Sequence, residues 1–104
     1  YKANPPNYQD AFAWFSNAAE GGLAQAQYMT GFMLMQGQGT ERSVPLAIEF
    51  FKKAANQNDT AAQYVLGQIY WKGLSVAKDK KEGRLWLEKA SAGGNLSARE
   101  LLNQ

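Results

Sequence analysis

The sequence predicts an all-α fold, a solenoid built from antiparallel helix pairs. Three observations carry that reading. First, residues 24–59 and 60–95 are near copies at a spacing of 36. Ala26-Gln27-Tyr28 fall on Ala62-Gln63-Tyr64, Gly31 on Gly67, Gly37 on Gly73, Phe50 on Trp86, and Lys53-Ala54 on Lys89-Ala90. The same shift carries Ala11, Trp14, Phe15 and Ala18-Ala19 onto Ala47, Phe50, Phe51 and Ala54-Ala55, and Ala62 and Leu66 onto Ala98 and Leu102. A fixed period of this length marks an array whose units cannot bury their apolar faces alone. Second, helix-capping residues keep the period: Asn7, Ser43 and Asp79 form one series, Asp59 and Asn95 another. Each can accept a bond from an orphan N–H in the first turn of a helix. Third, the stretches between these helices are short, which forces neighbours to lie antiparallel.

Taken in order, residues 1–6 read as a loop tail, because Pro5-Pro6 cannot lie inside a helix and restrict the residue before them. Asn7 caps the first helix, with Asp10 near its positive end, and Ala11, Phe12, Trp14, Phe15, Ala18 and Ala19 recur at helical steps. Gly21-Gly22 stops it, since glycine reaches the left-handed conformation that follows many helices. Six helices result, over about 7–19, 24–36, 43–56, 60–72, 79–91 and 96–102. They alternate between an A type that ends near a glycine and a B type closed by Ala-Ala or Ala-Ser. Pro45 sits in a first turn, where its missing donor has no acceptor to lose. Asp79 with Glu82 resembles a capping box. Leu23 breaks the second cap series.

The repeat register divides the single array into 7–22, a B helix alone, full repeats at 23–58 and 59–94, and the start of a further repeat at 95–104. The chain opens on Tyr1 rather than Met. Both ends are therefore expected to be cut through a longer array.

Composition narrows the function. The 104 residues can bury a modest core. The net charge of +2 is too small to point to nucleic acid. It is mildly polar along the chain, net −1 over residues 1–40 and +3 over 41–104. With no Cys and no His, the usual base, thiol nucleophile and metal ligands are missing. No apolar run approaches the ~20 residues that span a bilayer. Glu49, Glu82 and Glu88 read as exposed B-helix positions paired with nearby Lys or Arg. Gly37-Gln38-Gly39 is a lone pair of loop glycines, far short of a phosphate loop. The expectation is a chain without catalysis, cofactor or metal.

Small residues mark helix crossings. Ala26, Ala62 and Ala98 on A helices, and Ala18, Ala54 and Ala90 on B helices, let bulk and gap interdigitate. Gly31 and Gly67 lie inside A helices, where glycine costs ~1 kcal/mol against alanine; close approach of a neighbouring helix is the expected compensation. Trp14, Phe50 and Trp86 are expected to fill the volume between successive pairs. Met29, Met33 and Met35 read as adaptable core filler.

These residues carry a resemblance. Ala26-Gln27-Tyr28, Gly31, Leu34, Gly37-Gln38-Gly39, Ala47, Phe50 and Lys53-Ala54-Ala55, with Ala62, Leu66-Gly67, Tyr70, Gly73, Asp79, Trp86 and Lys89-Ala90, resemble the Sel1-like repeat, a relative of the tetratricopeptide repeat. The resemblance implies a right-handed α/α solenoid. It also implies an adaptor or scaffold for other proteins without chemistry of its own. It slightly favours a bacterial envelope, periplasmic or secreted setting, with the cytoplasm open. Thr30 in place of leucine, Ser75 in place of the second loop glycine, and Gly83 in place of alanine depart from the pattern. Ser75 and Gly83 suggest a looser second repeat with a differently bent loop.

At ~100° per residue, Ala26, Thr30, Gly31 and Leu34 share one arc of their A helix. Tyr28, Phe32, Met35 and Gln36 project elsewhere, as do Tyr64, Gln68, Trp71 and Lys72 in the second copy. If A helices line the concave side, these eight form a strip for a protein or peptide partner. The alternative for the tyrosines and Phe32 is packing against the adjacent B helix. Lys78-Asp79-Lys80-Lys81 reads as a capped helix start with solvated lysines, or less readily as a dock for an acidic partner. An inhibitor or immunity protein capping a partner enzyme, and a glycan scaffold with aromatics stacked on sugar rings, are the alternative functions. Nucleic acid is disfavoured, since residues 24–36 hold no charge. The cut ends leave room for array-end or homo-oligomer contacts.

Overall fold

Local signals in the first turn set where each helix begins. The computed structural model describes residues 7–104, so the proline tail lies outside the described residues. Six α-helices follow, α1 (Tyr8–Glu20), α2 (Ala24–Gln36), α3 (Val44–Ala55), α4 (Thr60–Lys72), α5 (Lys80–Ala92) and α6 (Leu96–Leu102), with no strand among the described residues. Asn7 Oδ1 accepts from Asp10 N, Asp59 Oδ1 from Ala62 N, and Asn95 Oδ1 from Ala98 N, at 3.1, 3.0 and 2.8 Å. Ser43 Oγ accepts from Leu46 N and Asp79 Oδ1 from Glu82 N, at 3.3 and 3.0 Å. Leu23 precedes α2 with no side-chain cap bond. Both cap series therefore hold wherever the side chain allows.

Packing runs between neighbours in the chain, as a stacked array requires. Leu34, Ala47, Phe51, Ala54, Ala62, Leu66, Ile69 and Trp86 form one buried cluster, and Leu87, Ala90, Ala98 and Leu101 a second. The small residues do what the sequence asked of them. A Cβ on Gly31 would stand 2.9 Å from the Phe51 ring, and one on Gly67 would stand 2.5 Å from Leu87 Cγ. Phe51 and Leu87 occupy matching positions in α3 and α5, and both are fully buried. Each A-helix glycine is thus the recess for the large side chain that centres the next B helix.

Five expectations need correction. Trp14 does not fill an inter-pair volume as Trp86 does: it is 64% exposed, against 6% for Trp86. Trp86 sits in the cluster made by α2, α3 and α4, whereas among the described residues no helix pair precedes α1 to supply that wall. The capping box is half formed. Glu82 N donates to Asp79, but the Glu82 carboxylate accepts from Trp86 Nε1 at 2.9 Å instead of turning back. The same bond commits the Glu82 carboxylate, expected to pair with a nearby Lys or Arg, to the Trp86 indole. Lys80 is not merely solvated, since its Nζ stands 5.0 Å from the centre of the Trp71 ring.

The fifth correction concerns the second repeat, whose own helix pair is not looser and whose A-to-B loop is not bent differently. Ser75 adopts φ +62°, beside +73° for Gly39, so the loop keeps its path at the cost of a left-handed serine. Gly83 brings α5 against α4: a Cβ there would meet Trp71 N at 2.7 Å and Trp71 Cα at 2.9 Å. Loss of the alanine methyl lets backbone approach backbone.

Candidate functional site

The A helices bury one arc and leave another half covered. Ala26, Thr30, Gly31 and Leu34 are buried in α2, together with Gln27 and Met33. Tyr28, Phe32 and Met35 are half-buried against the first cluster, and Gln36 is exposed. In α4, Tyr64 and Trp71 are half-buried against the second cluster, Gln68 is half-buried, and Lys72 is exposed. The rings are therefore anchored by their inner edges, a placement that leaves their outer edges for contact at little entropic cost.

Structure separates these eight residues into different settings. Tyr28 belongs mainly to packing. Its ring lies 5.8 Å from that of Phe51, tilted by 49°, and burial, helped by the Asp59 carboxylate, raises its hydroxyl above the usual tyrosine pKa. Trp71 carries two cations, Lys80 Nζ at 5.0 Å and the Arg84 guanidinium at 5.5 Å from the ring centre. Such contacts hold a ring and its cations in a fixed pose.

Met35 and Gln36 come together in a groove of about 480 Å³, with Arg42, Val44, Ile69, Gly73, Leu74 and Ser75. Its apolar wall is Met35, Val44, Ile69 and Leu74; Leu74 is 48% exposed. Arg42 Nε donates to Met35 O at 3.0 Å, which fixes the guanidinium at the rim, a planar fork of donors of the kind that suits a carboxylate.

The groove has a cause one repeat earlier. Gly39 lets its loop press directly on the Tyr8 carbonyl, where any Cβ would collide. The residues 36 further on are Ser75 and Val44. Ser75 brings a side chain into the same left-handed position, so α3 cannot seat on the second loop as α1 seats on the first. Arg42, Leu74 and Ser75 line this groove and were not among the residues the sequence singled out for binding. The signal that could have found them was the Gly39–Ser75 mismatch, a difference in a loop whose glycine is otherwise demanded by sterics.

Comparison with known proteins agrees with this architecture. The Sel1 repeat model matches residues 5–23, 24–59 and 60–95. DAP3-binding cell death enhancer 1 of Rattus norvegicus is 41% identical over 97 residues, which are 93% of this chain and 19% of that protein. The ERAD-associated E3 ubiquitin-protein ligase component HRD3B of Arabidopsis thaliana is 36% identical over 74 residues, 70% of this chain and 11% of that protein. This chain thus spans a fifth or less of the length of these relatives. Among solved structures, a protective antigen present in uropathogenic Escherichia coli strains, with an SLR fold, superposes with a TM-score of 0.90 at 33% identity. That match covers 94% of this chain and 21% of the other. Proteins of this kind generally serve as protein-interaction adaptors and are mostly non-catalytic. The chain, three times matched and folded as stacked helix pairs, belongs to the Sel1 repeat family.

Proposed function

We propose that this chain is a non-catalytic protein-binding module that takes a protein or peptide segment along its A helices. The observation that carries the reading is the groove between the two A-to-B loops. It has an apolar wall at Met35, Val44, Ile69 and Leu74, and a guanidinium at its rim. The partner segment would set an apolar side chain against Leu74 and a carboxylate against Arg42. Phe32 and Trp71 extend the contact along α2 and α4. The names of the two relatives, one DAP3-binding and one a ligase component, support an adaptor role. The glycan alternative is weakened at Trp71, because Lys80 and Arg84 already occupy at least one face of the ring that a sugar would need.

Selection of a displayed random-peptide library on the intact chain tests this. Peptides pairing an apolar residue with Asp or Glu should be enriched, and Leu74→Glu should lower their affinity at least tenfold while the helical circular-dichroism signal stays. Phe32→Ala with Trp71→Ala should weaken capture further. If selected peptides bind Leu74→Glu as well as they bind the parent, the groove is not the site.

A further inference from the structure

The two B-to-A junctions share their chemistry up to one side chain. At the first, buried Gln27 donates from Nε2 to Ala19 O at 3.2 Å. Gln57 completes the junction, donating from Nε2 to Gln27 Oε1 at 2.8 Å and to Gly22 O at 3.0 Å. At the second, Gln63 is 3% exposed and repeats the bond, to Ala55 O at 3.1 Å. Asn58 takes φ +69° where Gly22 takes +94°. The two acceptors, Gln63 Oε1 and the Asn58 carbonyl, therefore keep their places.

Their donor is gone. The residue 36 after Gln57 is Gly93, and a Cβ there would run into Thr60 Cγ2, where the first junction has Ala24. Removing the side chain leaves a notch of about 390 Å³ lined by Asn58, Thr60, Gln63, Lys89, Ala92 and Gly93. On a side chain otherwise buried and held by its Nε2 bond to Ala55 O, an amide oxygen that opens onto the notch is an acceptor for a donor from outside the chain.

We propose that this notch takes a primary carboxamide, the side chain of an Asn or Gln on a partner protein, in the place Gln57 fills one repeat earlier. The carboxamide N–H groups would serve the two acceptors, and its oxygen would face Lys89 on the rim. Lys89 carries a positive charge, with Nζ 4.8 Å from the Trp86 ring centre, and so disfavours an Arg or Lys occupant. A carboxylate has no N–H to offer the acceptors. The notch lies at the start of α4, the opposite end from the Leu74 groove, and its role stands or falls independently of that groove.

The test is nuclear magnetic resonance on the intact, ¹⁵N-labelled chain, following the side-chain NH₂ signals of Gln63 and Gln27. The probes are N-acetyl-glutamine N-methylamide and its glutamate counterpart. The glutamine probe should shift Gln63 saturably and leave Gln27, already paired by Gln57, in place. Gln57→Gly should open the first notch and make Gln27 respond as well. Thr60→Ala with Gly93→Gln should fill the second notch and silence Gln63; should that variant not fold, the Gln57→Gly arm decides. No saturable shift at Gln63, an equal response to the glutamate probe, or an unresponsive Gln27 in Gln57→Gly overturns the proposal.

Discussion

The α2–α3 pair and the α4–α5 pair are the same machine built twice with different parts. Both place a buried bulky residue, Phe51 or Leu87, against an A-helix glycine, and both end their A helix on a left-handed glycine. They differ where one residue changes what the next helix can reach. Ala47 becomes Gly83 and α5 closes onto the Trp71 backbone; Gly39 becomes Ser75 and a groove opens; Gln57 becomes Gly93 and a notch opens. A repeat protein supplies its own control, because each mismatch can be weighed against a matched copy in the same fold.

Exchanging residues between the copies breaks this comparison most sharply. Gly83→Ala would push a methyl into Trp71 N and Cα, backbone atoms that cannot swing aside. Overpacking of about 1–3 kcal/mol should outweigh the ~1 kcal/mol helix gain of alanine. Urea denaturation should therefore show a net loss of up to about 2 kcal/mol. The reciprocal Ala47→Gly should lose about 1 kcal/mol in backbone entropy and roughly 0.8 kcal/mol more for the buried methyl, since Ala47 is fully buried. Equal neutrality of both would mean that the two pairs pack at the same distance.

A smaller effect of opposite sign is expected inside α2. Thr30 is fully buried and its Oγ1 has no hydrogen-bond partner, while the matching residue is Leu66. An unsatisfied buried hydroxyl costs about 1–3 kcal/mol. Thr30→Val should thus stabilise the fold by about 1 kcal/mol and raise Tm by about 4–8 °C.

The smallest effect is in pH. The Tyr28 hydroxyl has its pKa raised by burial and by Asp59. The folded state then holds its proton where the unfolded chain has released it. The stability tied to neutral Tyr28 is complete below the unfolded value near 10 and is lost as pH rises through the folded value. Urea midpoints taken between about pH 9 and pH 11 should fall less steeply for Tyr28→Phe than for the parent.

Much of this was legible along the chain. The helix bounds came within a residue of the structure, and each of the caps Asn7, Ser43, Asp59, Asp79 and Asn95 makes its bond. Of the eight residues singled out for binding, Met35 and Gln36 alone line the groove, and Tyr28 serves packing. Arg42, Leu74 and Ser75 could not be chosen from periodicity, because they lie in a loop where helical phase gives no direction. Glu82 looked like part of a capping box, yet the Trp86 indole one turn on offered its carboxylate a better-placed donor.

The sequence by itself determined the period, the number of helices, where each begins, and which positions must be small at the crossings. Those features depend on residues within about four positions of one another, or on a near internal copy in register. Tertiary structure alone decided that Trp14 is exposed while Trp86 is buried, that Ser75 opens a groove, and that Gly93 leaves Gln63 without a donor. The tryptophan contrast rests on whether a helix pair stands before the ring, and the other two outcomes on the distance between segments brought together from about 30 residues apart. That distance is set by the bulk of side chains at both sides of the contact, not by either segment alone.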